Sequence, residues 1–129
     1  RRDVATEIIE PDVFLPACAQ GAIGVTCRAD DTETLEYLAT LNDPVSHTTV
    51  MCERAFLDAL DGSCRTPIAG LARLTGDRLV LKGMIFRPDG SEVLSAEREG
   101  SASDAEAMGR DAGEELRSRA APDFFDELE

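Results

Sequence analysis

Tryptophan is absent from this chain, and aromatic residues make up only 5% of its 129 positions. A core of stacked rings is excluded. The interior must come from Leu, Ile, Val, Ala and Met, and 43% hydrophobic residues are enough for one modest domain or parts of two. Positive charge is scarce as well: 13 Lys and Arg face 26 Asp and Glu, for a formal net charge of -13. Nucleic acid and anionic membrane surfaces are held by clustered cations, so neither is an expected partner. The excess acid reads as a well-solvated surface. No apolar run approaches the roughly 20 residues of a membrane span, and no leader peptide is visible. The chain opens Arg1-Arg2-Asp3 without a methionine, as expected of part of something longer.

Metal-site and disulfide signals are missing too. His47 is the single histidine, and Cys18, Cys27, Cys52 and Cys64 show no CxxC spacing. Cys18, Cys27 and Cys52 read as small buried hydrophobes, and reduced thiols suggest an intracellular compartment.

What is present is a set of periodic segments. Pro11 and Pro16 punctuate an acidic opening that offers a weak short helix up to about Glu10. Residues 20–28 alternate small or apolar with polar groups and predict a strand, with glycines that admit a close neighbour. Asp30 or Asp31 can cap a helix over 31–41, with Leu35, Leu38 and Leu41 on one face. A second helix is predicted from about Ser46 to Leu60. Its buried stripe is Cys52, Ala55, Phe56, Ala59 and Leu60, and Gly62 suits a left-handed C-cap. Three strands follow, at 68–74, 79–86 and 92–98, joined by Thr75-Gly76-Asp77 and by Arg87-Pro88-Asp89-Gly90, which suits a type I turn. Ser103 and Glu106 form a capping box for a helix to about Arg119, with Ala105, Met108, Ala112 and Leu116 as its apolar face. The acidic tail 123–129 is expected to fray.

Two short connections in a row imply an antiparallel meander. The predicted class is α+β: a three-stranded antiparallel sheet with helices packed on one face, spanning 44–129. The strand at 20–28 and the helix at 31–41 have no visible partners, and a lone strand cannot satisfy its backbone groups. Residues 1–43 are therefore expected to be the end of another domain whose remainder is absent, with exposed apolar surface that favours association.

One thiol stands apart. Gly62-Ser63-Cys64-Arg65-Thr66-Pro67-Ile68-Ala69-Gly70 places Cys64 on a loop of small residues between a helix and a strand, where glycine and serine leave room for a bond to sulfur. Taken alone, Cys64 reads more readily as a buried structural cysteine than as a functional one. The surrounding sequence is more specific. Leu15-Pro16-Ala17-Cys18-Ala19-Gln20-Gly21-Ala22-Ile23-Gly24-Val25, then Cys27-Arg28, Leu41-Asn42, Cys52-Glu53-Arg54-Ala55-Phe56-Leu57, Leu60-Asp61-Gly62-Ser63-Cys64, Pro67-Ile68, Pro88-Asp89-Gly90 and the Met108-Gly109 to Leu116 helix follow in order. This array resembles the hydroxymethylbilane synthase (porphobilinogen deaminase) family.

The resemblance implies the C-terminal portion of a three-domain enzyme that joins four porphobilinogen units into hydroxymethylbilane in tetrapyrrole synthesis. It implies a dipyrromethane cofactor tethered to Cys64 by a thioether, with residues 44–129 as the cofactor-attachment domain. Sulfur suits the task because a thiol is a strong nucleophile. Arg65 could favour thiolate or meet a cofactor carboxylate, and equally could be a solvated loop arginine. Ser63 could bond the cofactor or only stabilise the turn. Gln20 and Gly21 are implied to offer backbone amides to a ring. Asp61 reads as a helix-end residue. The family's catalytic aspartate and most of its binding arginines would lie upstream of Arg1. The implied partners are the N-terminal domains of the same enzyme and a porphobilinogen-derived oligopyrrole, and the implied location is bacterial cytoplasm or plastid stroma. Asp43-Pro44 and Cys18 depart from the family pattern at positions that affect packing.

Two readings of other classes compete with this one. The domain could be a non-catalytic structural or assembly subunit of a larger complex. A stand-alone cysteine hydrolase would need a histidine near Cys64, and His47 lies a whole helix away, roughly 20 Å at 1.5 Å per residue.

Overall fold

The computed structural model describes residues 4–62 and 66–125. Helix α1 spans Thr32–Ala39 and helix α2 spans Pro44–Ala59. Strands β1 (Ile68–Thr75), β2 (Arg78–Phe86) and β3 (Val93–Ser101) follow, then a 3-10 turn over Ala102–Asp104 and helix α3 over Ala105–Arg119. The strands pair in the order β1-β2-β3, both pairs antiparallel. This is the α+β meander that the turn spacing predicts.

Local chemistry fixes the element ends. The Asp31 carboxylate accepts the Thr34 N–H at 3.1 Å and starts α1. The Asp43 carboxylate accepts the Ser46 N–H at 2.8 Å, and Pro44 occupies the first turn of α2. Proline lacks the N–H that this turn would leave unpaired anyway. Helix α2 thus begins before Ser46, at Pro44. The α3 start differs from expectation in the same way. Ser101 and Asp104, not Ser103 and Glu106, make the capping box, and it caps the 3-10 turn that leads into α3.

The core lies between the sheet and the α2/α3 pair. Phe56, Leu79, Leu81, Ile85, Cys52, Ala112 and Leu116 are fully buried. Alternation puts residues 79, 81, 83 and 85 of β2 on the helix side. Gly70 and Gly83 are direct partners across β1 and β2. A methyl group on Gly83 would overlap the Phe56 ring, and one on Gly70 would come within 3.3 Å of it. The glycine pair is therefore a hollow in the sheet that lets α2 lie close. A similar approach joins the helices. A Cβ on Gly109 would overlap the Cys52 carbonyl oxygen, and one on Gly113 would sit 2.6 Å from the Ala59 Cβ.

Residues 20–28 form no strand, contrary to the alternation in their sequence. None of the three described strands pairs with them, and Ile23 and Val25 are 92% and 63% exposed. A strand exists only with a partner for its N–H and C=O groups. Helix α1 likewise buries no residue and ends before Leu41. Residues 5–10 are irregular where a short helix was expected. The acidic tail does not fray over 123–125: Phe124 is buried in the core and Asp123 pairs with Arg87 at 3.3 Å; its end, 126–129, lies outside the described residues.

Candidate functional site

The loop that sequence singles out begins at the end of α2. Leu60 is the C-cap, and the left-handed position is taken by Asp61 at φ 51°, not by Gly62. The Asp61 N–H donates to the Asp58 carbonyl at 3.0 Å, and the Gly62 N–H donates to the Leu57 carbonyl at 3.0 Å. These paired bonds are a Schellman closure. Arg117 of α3 secures it, with Nη2 2.9 Å from the Asp61 carboxylate and Nη1 3.3 Å from the Ala59 carbonyl oxygen. Asp61 is therefore a helix-end residue. Gly62 is closely packed: a Cβ there would meet Leu57 Cδ1 at 2.5 Å and Ile68 Cδ1 at 2.7 Å, both ends of side chains that would have to shift. Ser63, Cys64 and Arg65, the expected tether and its neighbours, lie outside the described residues. Past them, the Ile68 N–H donates to the Thr66 carbonyl at 2.8 Å as β1 opens.

Gly62 lines a groove of about 520 Å³ between α2, α3 and the segment before Gln20. Ala19, Met51, Ala55 and Leu57 give it apolar wall, and Arg54, Asp58, Glu106 and Arg110 give it charge. Every other described arginine, and Lys82, lies within 4 Å of a carboxylate. Arg54 and Arg110 make no ion pair among the described residues, although Asp58 and Glu106 stand four positions from them on their own helices. In a chain of net charge -13, two unpaired guanidiniums in one groove are unexpected.

Gln20 and Gly21 sit in consecutive tight turns, with Ala19 at φ 57° and Gly21 at φ 85°. The Gln20 N–H donates to the Ala17 carbonyl at 3.1 Å, and its side-chain oxygen accepts the Ala17 N–H at 3.1 Å. Of the two amides, only the Gly21 N–H has no hydrogen-bond partner among the described residues. The turns are held to the α+β unit by Glu53, a residue not anticipated from sequence. Glu53 is 5% exposed. One of its oxygens accepts the Ala19 N–H at 2.6 Å and the other the Ala72 N–H at 2.7 Å. Beside it the Gly70 N–H donates to the Pro16 carbonyl at 3.0 Å. Burial pushes the Glu53 carboxyl above its ordinary pKa, against the opposing pull of the Ala72 and Ala19 amides. Burial and the nearby Glu53 charge push the Cys18 thiol up to about 12 and the Cys52 thiol up to about 11. Both stay protonated at neutral pH and act as packing groups, as expected from sequence. Cys27 is a half-buried free thiol.

Among the described residues, no cluster of three or more His, Cys, Asp or Glu could hold a metal ion, and no helix is long and apolar enough to cross a membrane.

Comparison with known proteins identifies the family. A family model described as "Porphobilinogen deaminase, C-terminal domain" matches residues 47–118. The chain belongs to the porphobilinogen deaminase family. A second model, "Porphobilinogen deaminase, dipyromethane cofactor binding domain", matches residues 1–36. The porphobilinogen deaminase of Paracoccus denitrificans (strain Pd 1222) is 62% identical over 123 residues, covering 95% of this chain and 39% of that protein. The porphobilinogen deaminase of Nitrobacter winogradskyi is 48% identical over 124 residues, covering 96% of this chain and again 39% of that protein. The chain thus spans about two fifths of the length of these porphobilinogen deaminases.

Proposed function

We propose that this chain is the portion of a hydroxymethylbilane synthase that tethers the dipyrromethane cofactor, through a thioether to Cys64. The enzyme joins four porphobilinogen units head to tail with loss of ammonia at each condensation. Family membership across both ends of the chain carries this reading. The separate matches to 1–36 and 47–118 support a division near residue 43 into the end of the preceding domains and a cofactor-attachment domain.

The residues present suit the group. The groove beside Gly62 is large enough for linked pyrroles and has apolar wall for rings and guanidiniums for carboxylates. When bound, the dipyrromethane supplies the primer to which monomers add. The chain's own part is to hold and orient. The α2 closure at Asp61-Gly62 fixes where the Cys64 loop leaves the helix. Glu53 holds the Ala19-Gln20-Gly21 turns beside β1 and leaves the Gly21 N–H available to a ring substituent. Ser63 and Arg65 flank the tether and are assigned to it. No carboxylate here is assigned the proton transfers of condensation; an aspartate in the remaining domains fills that role. Those domains and the oligopyrrole are the proposed partners, and the bacterial relatives favour a cytoplasmic location.

Intact mass of the full-length protein tests the reading. The expected result is a covalent increment of two linked pyrroles on Cys64, a positive pyrrole colour reaction, and loss of both in Cys64→Ser. An unmodified Cys64 in protein that still forms hydroxymethylbilane, or an unmodified chain bound to unrelated subunits, would overturn it.

A further inference from the structure

We propose that Arg54 and Arg110 form a receiving site for the carboxylate side chains of pyrrole rings, with the groove beside Gly62 as the seat for the ring itself. The proposal deepens the tethering reading and rests on it for the ligand class. The arrangement that supports it is independent of Cys64. Arg54 projects from α2 and Arg110 from α3, and the close contact of those helices at Gly109 and Gly113 keeps the two stems on one rigid pair. Met51, Ala55, Leu57 and Ala19 form apolar wall between them. The site is thus an open groove of mixed apolar and charged wall, with two guanidiniums that have no carboxylate partner among the described residues.

Ligand chemistry follows from the charges. Asp58 and Glu106 also line the groove and offset the two cations. The groove therefore offers no strong net field to draw a generic polyanion such as nucleic acid. Its attraction is short-range and geometric, made by guanidinium forks that fit carboxylates two bonds at a time. A small flat ring with two carboxylate arms satisfies the apolar wall and both forks. A carboxylate without a ring leaves the wall unfilled, and a ring without carboxylates leaves the guanidiniums unpaired. Gly62 lies two residues before Cys64, a span of at most about 7 Å of extended chain, so a ring carried on the tether is within reach.

The test is an amide-resolved NMR titration of the 129-residue chain with a pyrrole bearing acetate and propionate arms but no aminomethyl group, so that no condensation occurs. Saturable shifts are expected at Ala19, Met51 and Gly62. Arg54→Gln and Arg110→Gln should each weaken binding roughly tenfold, the loss expected for one charge-assisted pair. Both side chains are exposed, so neither change threatens the fold. Arg78→Gln removes the same charge at an ion-paired position on β2, outside the groove, and should leave binding unchanged. Absence of saturable shifts, wild-type affinity in both groove variants, or equal weakening by all three substitutions would sink the proposal. Failure of the tethering reading shows separately, as an unmodified Cys64 in the full-length protein.

Discussion

Glu53 shows how one side chain can join two parts of a chain. Its carboxylate is nearly sealed from water, and each oxygen accepts a backbone N–H from a different segment, Ala19 on one side and Ala72 of β1 on the other. Glu53→Ala leaves both donors without a partner and is expected to cost about 2–4 kcal/mol in urea unfolding. Glu53→Gln keeps one acceptor but turns an NH2 group toward a donor, so about 1–3 kcal/mol is expected. The pH dependence has a definite sign. Burial raises the folded carboxyl above its ordinary value of 4.5, so the folded chain binds this proton more tightly than the unfolded chain. The stability of the wild type relative to Glu53→Gln should therefore fall as pH rises from about 4.5 through the raised pKa. Carboxylates held by arginines, such as Glu115 beside Arg98 and Arg119, have lowered values and act oppositely, weakening the fold as pH falls. Unfolding curves at several pH values separate the two, and a pH-independent difference for Glu53→Gln would contradict this account. The sequence contained a signal for Glu53. It lies three residues before Phe56 and seven before Leu60, on the buried face of α2. Its partners are backbone amides, which leave no trace in side-chain identity, so its role was not legible.

At the scale of elements, the meander and the two packed helices follow from periodicity and turn residues. Cys52, Ala55, Phe56 and Leu60 are buried as their spacing implies, Ala59 of the same stripe is only partly so, and Ala105, Met108, Ala112 and Leu116 are buried. What spacing could not convey is the depth of contact. Gly109 and Gly113 look like weak points in a helix, since glycine costs roughly 1 kcal/mol against alanine. In the fold they are where α3 meets the α2 backbone, and a Cβ on Gly109 would lie 2.9 Å from the Phe56 nitrogen. Gly109→Ala should therefore destabilise despite its better helix propensity. Overpacking of about 1–3 kcal/mol outweighs the propensity gain, and the melting temperature should drop by several degrees. A rise in melting temperature would mean the helices separate more easily than this geometry implies. Capping boundaries were legible only to within two residues. Ser101/Asp104 and Ser103/Glu106 both match the pattern, and the register of β3 against β2, which carries pairing through Ser101, decides between them.

Across the whole molecule, the chain divides by how its apolar residues are used. From residue 44 on, nearly all large hydrophobics are at least half-buried, whereas Val4, Ile8, Ile9, Val13, Phe14, Ile23, Val25, Tyr37 and Leu41 are each 58% exposed or more. The alternation in 20–28 and the leucines of α1 describe surfaces made to be covered, and no described element covers them. A sequence pattern records the need for a partner without supplying one, which is why the predicted strand did not form. The anchor of this part to the rest is narrow: the Pro16–Gly70 and Ala19–Glu53 hydrogen bonds, with the Cys18 side chain packed against the core. Residues before Leu15 add an ion pair between Asp12 and Arg73 at 3.2 Å, both side chains more than half exposed, and such pairs contribute little. Removing residues 1–14 should therefore leave the unfolding free energy within about 1 kcal/mol of the parent chain. It should also reduce dye binding and concentration-dependent association, because the exposed Val, Ile and Phe side chains of that stretch are lost. Urea unfolding with sedimentation at two or more concentrations reads both effects. A loss of more than about 2 kcal/mol would place the opening segment in the folded core, against the exposure of its side chains.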